Sequence, residues 1–110
     1  MLILEIKEVI VKEIYVEYDL HASIISVPDY IDENISKCTR AFQKWINRTI
    51  WENPKLKNDK RYGSWDVTVF VEYLNKYQVK EGDKAIIVNE CIMMSDYPDD
   101  YPQGRTVIYF

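Results

Sequence analysis

The order of apolar and polar positions changes its period along the chain, and each period predicts an element. From Leu2 to Tyr18 the chain is rich in Ile, Val and Tyr, and it alternates rather than repeating every 3.6 residues, which predicts strand. Leu2, Leu4 and Ile6 share one face, Val9 and Val11 the other, and Ile14, Val16 and Tyr18 return to the first. The two changes of phase fall at Lys7–Glu8 and Lys12–Glu13, where β-bulges or bends are expected in one long strand. A second strand, Ala22 to Val27, is expected to fold back as a hairpin through Asp19 to His21.

A helix follows. Ser26 and Asp29 have capping-box spacing, Pro28 suits a first turn, and Asp29, Asp32 and Glu33 place negative charge at the positive end of the helix dipole. Ile31, Ile35, Cys38, Phe42, Trp45 and Thr49 recur at steps of four and three, so they form one apolar stripe that packs on the sheet. Asn53 and Pro54 end the helix, because a residue before proline is pushed out of the α region.

Lys55 to Ser64 is polar and aperiodic, hence a loop. Three strands are expected after it. Trp65, Val67, Val69, Val71 and Tyr73 alternate in period two, Ala85 to Met94 is a more continuous apolar run that suits a central strand, and Thr106 to Phe110 is a short terminal one. The expected fold is therefore a single α+β domain over residues 1–110. It has a mostly antiparallel sheet of about five strands in the order β-β-α-β-β-β, with one amphipathic helix packed on a face.

Composition supports this class without refining it. Of 110 residues, 47% are apolar and 29% charged, with 3 Gly and 4 Pro, which excludes collagen-like and wholly disordered chains. A chain of this length buries roughly 65% of its unfolded surface, enough for a core without disulfides or a structural metal. Glu5, Lys7 and Glu8 interrupt the apolar start before a signal-peptide core forms, and no run approaches the ~20 apolar residues of a membrane span. Cys38 and Cys91 lie in apolar patterns without CxxC spacing, so free thiols in a reducing cytoplasm are expected. The 14 Ile and 10 Lys against 3 Ala and 4 Arg fit A+T-rich codons, as in a low-GC bacterium or its phages and plasmids.

Charge divides the chain into three parts. Residues 1–36 carry net −6, residues 37–61 net +6 and residues 62–110 net −4. Lys37, Arg40, Lys44 and Arg48 fall within about 80° of arc on the side of the helix away from the apolar stripe. Lys55, Lys57, Lys60 and Arg61 carry the charge onward, with Trp51, Tyr62 and Trp65 interleaved or adjacent. Phosphate neutralisation with base stacking needs this combination. A solvated helix face with cations toward the dipole's negative end accounts for the same residues, and a pI near 5.0 favours that plainer account.

The segment Ser95 to Gly104 is the second candidate. It repeats the triplet Asp, Tyr, Pro at 96–98 and 100–102. Proline lowers the entropy lost on docking, tyrosine supplies contact area, and Asp96, Asp99 and Asp100 with Tyr97 and Tyr101 would make a stiff acidic finger for a protein partner. The plainer account is a connection whose tyrosines fold back on the core. The three aspartates do not match a calcium-loop pattern, and no second motif supports a sugar platform of Tyr97 and Tyr101, so neither metal nor cofactor is expected.

No catalytic set emerges. His21 stands alone with Asp19 two residues away, neither cysteine has a nucleophile signature, and GxSxG, P-loop, GxGxxG and HExxH patterns are missing. In size, acidity and tyrosine content the chain is similar to small accessory proteins of phages and mobile elements, some of which block nucleases by presenting carboxylates where phosphates would sit. That similarity is one of composition and carries no motif. The expectation is a cytoplasmic, non-catalytic protein that binds another macromolecule as inhibitor or adaptor. A protein partner, for which a nucleic-acid-binding protein is one candidate, comes first, direct nucleic-acid binding through the basic face second, and a small enzyme or metabolite binder third; a homodimer is compatible with each.

Overall fold

The computed structural model describes residues 10–18, 21–58, 67–97 and 105–109. The predicted strand Leu2–Val9 and its first bulge, the turn residues Asp19 and Leu20, the segments 59–66 and 98–104, and Phe110 at the end of the terminal strand lie outside them. The fold is α+β, and the described strands form a sheet in the order β3-β2-β1-β4, with β1 Val11–Tyr18, β2 His21–Pro28, β3 Ile86–Met93 and β4 Thr106–Tyr109. β1 and β2 are an antiparallel hairpin, β2 and β3 pair antiparallel, and β4 lies parallel to β1. The ladder is thus mostly antiparallel.

Alternation assigns the two faces. The register pairs Ile14 with Ile25, Lys12 with Val27 and Val16 with Ile108, so one face of β1, β2 and β4 carries Ile14, Val16, Ile25, Val27 and Ile108, all buried under the helices. The other face holds Tyr15, Ala22 and Ile24, also buried. The bulge expected at Lys12–Glu13 is not formed: Val11 through Tyr18 pair with Pro28 through His21 without a slip. Val11 simply belongs to the second face, which explains the apparent phase change. The irregularity falls instead between β2 and β3, around Ile24.

The predicted helix is two. α1, Asp29–Glu33, ends at Asn34, and α2 runs from Ile35 to Glu52. No side chain caps α1; its N-cap is Pro28, and the Asp29 amide donates to the Ile10 carbonyl at 2.9 Å, which replaces the expected Ser26 box. Asn34 leaves helical geometry and its Nδ2 donates to the Tyr30 carbonyl at 2.8 Å, so the break has its own hydrogen bond. The buried stripe of α2 is Cys38, Phe42 and Ile46, with Ile35, Ala41, Trp45 and Ile50 half-buried at its margins. Its centre therefore sits one residue beyond Trp45. Thr49 back-bonds to the Trp45 carbonyl at 2.7 Å, and the helix stops before Pro54, as expected. Pro54–Asn58 then make a 3₁₀ turn rather than an open loop.

The largest departure lies at Val67–Tyr73, expected as a strand and folded as a helix, α3, which runs on through a wide turn at Leu74–Gln78. Val67, Val69, Phe70, Val71, Tyr73 and Leu74 are all buried. A helix enclosed on most sides needs apolar residues at nearly every position, and burial then outweighs the poor helix propensity of valine. Phe70 and Leu74 already break the strand alternation, while Thr68, Glu72 and Asn75 follow a helical spacing on the remaining side.

α2 meets α3 through aromatic rings. Phe42 packs edge-on against Phe70 at 5.1 Å, and Trp45 lies 5.3 Å from Tyr73, which in turn lies 5.3 Å from Tyr77. β3 was expected to be central, yet among the described residues it pairs with β2 alone, and Ile86, Val88 and Met93 are exposed.

Candidate functional site

Helix α2 is held by its inner stripe, which fixes where its outer face points. Lys37, Arg40, Lys44 and Arg48 are all exposed there, and the helix has a single carboxylate, Glu52. No carboxylate among the described residues pairs with any of the four cations. Arg40 Nε makes only a long 3.4 Å contact to the Ser36 carbonyl of its own helix. The last turn of α2 contains no basic residue. Compensation of the helix dipole falls off within that turn, so it does not account for Lys37, Arg40 and Lys44, which lie roughly two to four turns from the helix end.

Trp51 changes the character of this face. Its side chain is 83% exposed, the most exposed large apolar residue among those described. At 100° per residue it falls inside the arc of the cations, three positions from Arg48 and seven from Lys44. A solvated helix face needs no indole, and exposing one forfeits burial worth about 2 kcal/mol or more. Beside it lies an open groove of about 450 Å³ lined by Asn47, Ile50, Trp51, Pro54 and Lys57. The helix stops at Asn53–Pro54, and the turn that follows carries exposed Lys55 and Lys57, of which Lys57 lines the groove with the indole. Lys60, Arg61, Tyr62 and Trp65 lie outside the described residues. The sequence already contained the spacing that puts Trp51 among the cations; its exposure could be known only from the packing.

The acidic segment is described as far as Tyr97. Asp96 is exposed in a 3₁₀ turn that leaves β3. Tyr97 is half-buried with its hydroxyl oxygen enclosed, and burial first, then the Glu17 carboxylate, raises its pKa. Glu17 belongs to the Tyr15 face of the sheet, and its charge acts on the Tyr97 hydroxyl. Asp99, Asp100 and Tyr101 lie outside the described residues.

Three further groups were missed by sequence reasoning. The Tyr30 hydroxyl donates to Asp83 Oδ2 at 2.8 Å and accepts from the Lys80 amide at 2.9 Å, which ties α1 to the turn before β3. Gly82 occupies that turn at φ +90°, a conformation that glycine takes without strain. On the second face of the sheet, Arg105 donates to the Tyr15 hydroxyl at 2.7 Å and pairs with Glu13 at 3.5 Å. The Thr106 hydroxyl meets an Asp32 carboxylate oxygen, joining α1 to β4. These contacts bridge elements far apart in the chain, and no local pattern announces them.

His21 is half-buried at the start of β2. Cys38 is a free, buried thiol whose pKa is raised by burial, and the side chain of Cys91 lies outside the described ones. Among the described residues no group of three His, Cys, Asp or Glu side chains is arranged to hold a metal, and no helix is long and apolar enough to cross a membrane. No protein-family model matches the chain, and no significant match was found among curated proteins or solved structures.

Proposed function

We propose that this chain is a small non-catalytic interaction protein, acting in the cytoplasm, whose task is to bind another macromolecule. The observation that carries the reading is Trp51, exposed among cations that pair with no carboxylate of the described residues, on the outer face of a helix whose inner face is core. Exposed tryptophan and arginine on one rigid face are the residue types that dominate binding energy at interfaces. Because α2 is anchored by Cys38, Phe42 and Ile46, the face is pre-organised and loses little entropy on docking.

The acidic segment would supply a second contact of opposite sign. Asp96, with Asp99 and Asp100, would meet a basic protein surface and speed the encounter. Tyr97 contributes to folding more than to that contact, since its hydroxyl is already enclosed. An inhibitor or adaptor role in a phage or mobile element suits a small chain that offers such contacts.

The test is capture by the purified full chain from a low-GC bacterial lysate, with and without nuclease. The wild type should retain a macromolecule, and either the triple variant Arg40→Glu, Lys44→Glu, Arg48→Glu or the triple Asp→Asn variant at 96, 99 and 100 should release it. If the wild type retains nothing that these variants lose, the reading is wrong.

A further inference from the structure

Resting on the reading of α2 as a contact face, we infer that its partner is single-stranded nucleic acid, with a base stacked on Trp51 in the groove beside Pro54. Two requirements of such binding are met on one surface. A strand needs cations that track its phosphates, and Arg40, Lys44 and Arg48 form a stripe along the helix, continued by Lys55 and Lys57 beyond its end. It also needs an aromatic platform within reach of those cations, and the exposed Trp51 lies within the same arc.

Charge complementarity selects a polyanion over an apolar partner. Residues 37–61 carry net +6 within a chain of net −4. At physiological ionic strength the field of the distant carboxylates is screened beyond about 8 Å, so a bound strand responds chiefly to the local cations. The indole selects a single strand over a duplex. A paired base has its faces covered by its neighbours, whereas an unpaired one offers a free face to a ring on a helix surface. The groove wall supplies the rest of the pocket: Ile50 and Pro54 are apolar, Asn47 carries an amide for a base edge, and Lys57 sits where a flanking phosphate would pass.

The chemistry is common to DNA and RNA, so both are probed. Fluorescence anisotropy of labelled oligodeoxythymidylate and oligouridylate, each of about 16 nucleotides, is measured with the full chain at low salt and then in a salt titration. Affinity should fall with log salt at a slope of about −0.7 per phosphate neutralised, and the tighter oligomer identifies the sugar. Trp51→Ala should weaken binding roughly 5- to 150-fold with an unchanged salt slope, and Trp51→Phe should recover most of it. Arg40→Glu, Lys44→Glu and Arg48→Glu together should abolish binding with the circular dichroism of the fold retained.

Wild-type affinity unaltered by Trp51→Ala overturns the proposal. So do absence of binding to both oligomers at low salt, equal affinity for a duplex of the same length, and equal competition by polyglutamate. Failure here with nuclease-insensitive capture of a protein that the Arg40, Lys44, Arg48 reversal releases would leave the broader reading intact. Loss of both would remove the two together.

Discussion

The Asn75 side chain and the backbone of Ala85 are joined by two hydrogen bonds. Asn75 Nδ2 donates to the Ala85 carbonyl at 2.9 Å, and the Ala85 amide donates to Asn75 Oδ1 at 2.7 Å. A carboxamide here imitates a strand partner and holds the end of the α3 region against the chain entering β3. Ala85 is buried, so both of its backbone groups depend on that side chain. Asn75→Ala should cost about 2 to 4 kcal/mol in urea unfolding, from two buried groups left unpaired. Asn75→Asp should be as damaging near neutral pH, because its second oxygen faces a carbonyl. It should partly recover in acid, where a protonated carboxyl can donate again. A neutral Asn75→Ala would show that the two bonds contribute nothing net.

Phe42 and Trp45 separate a core role from a margin role. Phe42 is 0% exposed and touches Phe70, Tyr73 and Trp45, whereas Trp45 is half-buried against Tyr73 and Tyr77. Phe42→Ala should cost about 3 to 5 kcal/mol, and Trp45→Ala less, despite removing a larger ring. The order of the two unfolding midpoints checks the phase of α2; a more damaging Trp45→Ala would place its centre back at Trp45.

Stability should fall in alkali. Burial, together with the bond donated to Asp83, raises the Tyr30 pKa above the ordinary 10.0, against the lowering effect of the Lys80 amide. Tyr97 shifts in the same direction, by burial and the Glu17 charge. Below pH 10 both phenols are protonated in the folded and unfolded chain, and their contribution is fully present. As pH rises toward the folded-state values, the unfolded chain loses its protons first and the contribution is lost. Thermal melts across that window should show the decline, and the double variant Tyr30→Phe, Tyr97→Phe should flatten it.

Tyr97 also distinguishes a folded-back side chain from a docking finger. Tyr97→Ala should lower stability by about 1 to 3 kcal/mol, since a partly buried ring is removed, while Asp96→Asn leaves stability within about 0.5 kcal/mol. An unaltered melting temperature for Tyr97→Ala would return the ring to the solvent-facing role.

Cys38, at 4% exposure and with a raised pKa, should label slowly with a thiol reagent in the native protein and rapidly in denaturant. Equal rates in the two conditions would mean that α2 does not cover it.

The amphipathic helix, its stop at Asn53–Pro54, the β1–β2 hairpin and the basic stripe were legible in the sequence because each rests on contacts between near neighbours. An apolar residue every three or four positions, or a proline, acts wherever the segment lies. Val67–Tyr73 was misread for the complementary reason. Its valines at alternate positions suit a strand, but Phe70 and Leu74 with Val67 and Val71 also make a helical stripe, and only the enclosure of that segment among α2 and the sheet chose between them. The face of Val11, the place of β3 beside β2 and the pairing of Asn75 with Ala85 were likewise decided by tertiary packing. So was the exposure of Trp51. The sequence places it in the cation arc, but whether an indole at a helix end is covered depends on where the following chain goes, and no periodic pattern records that direction.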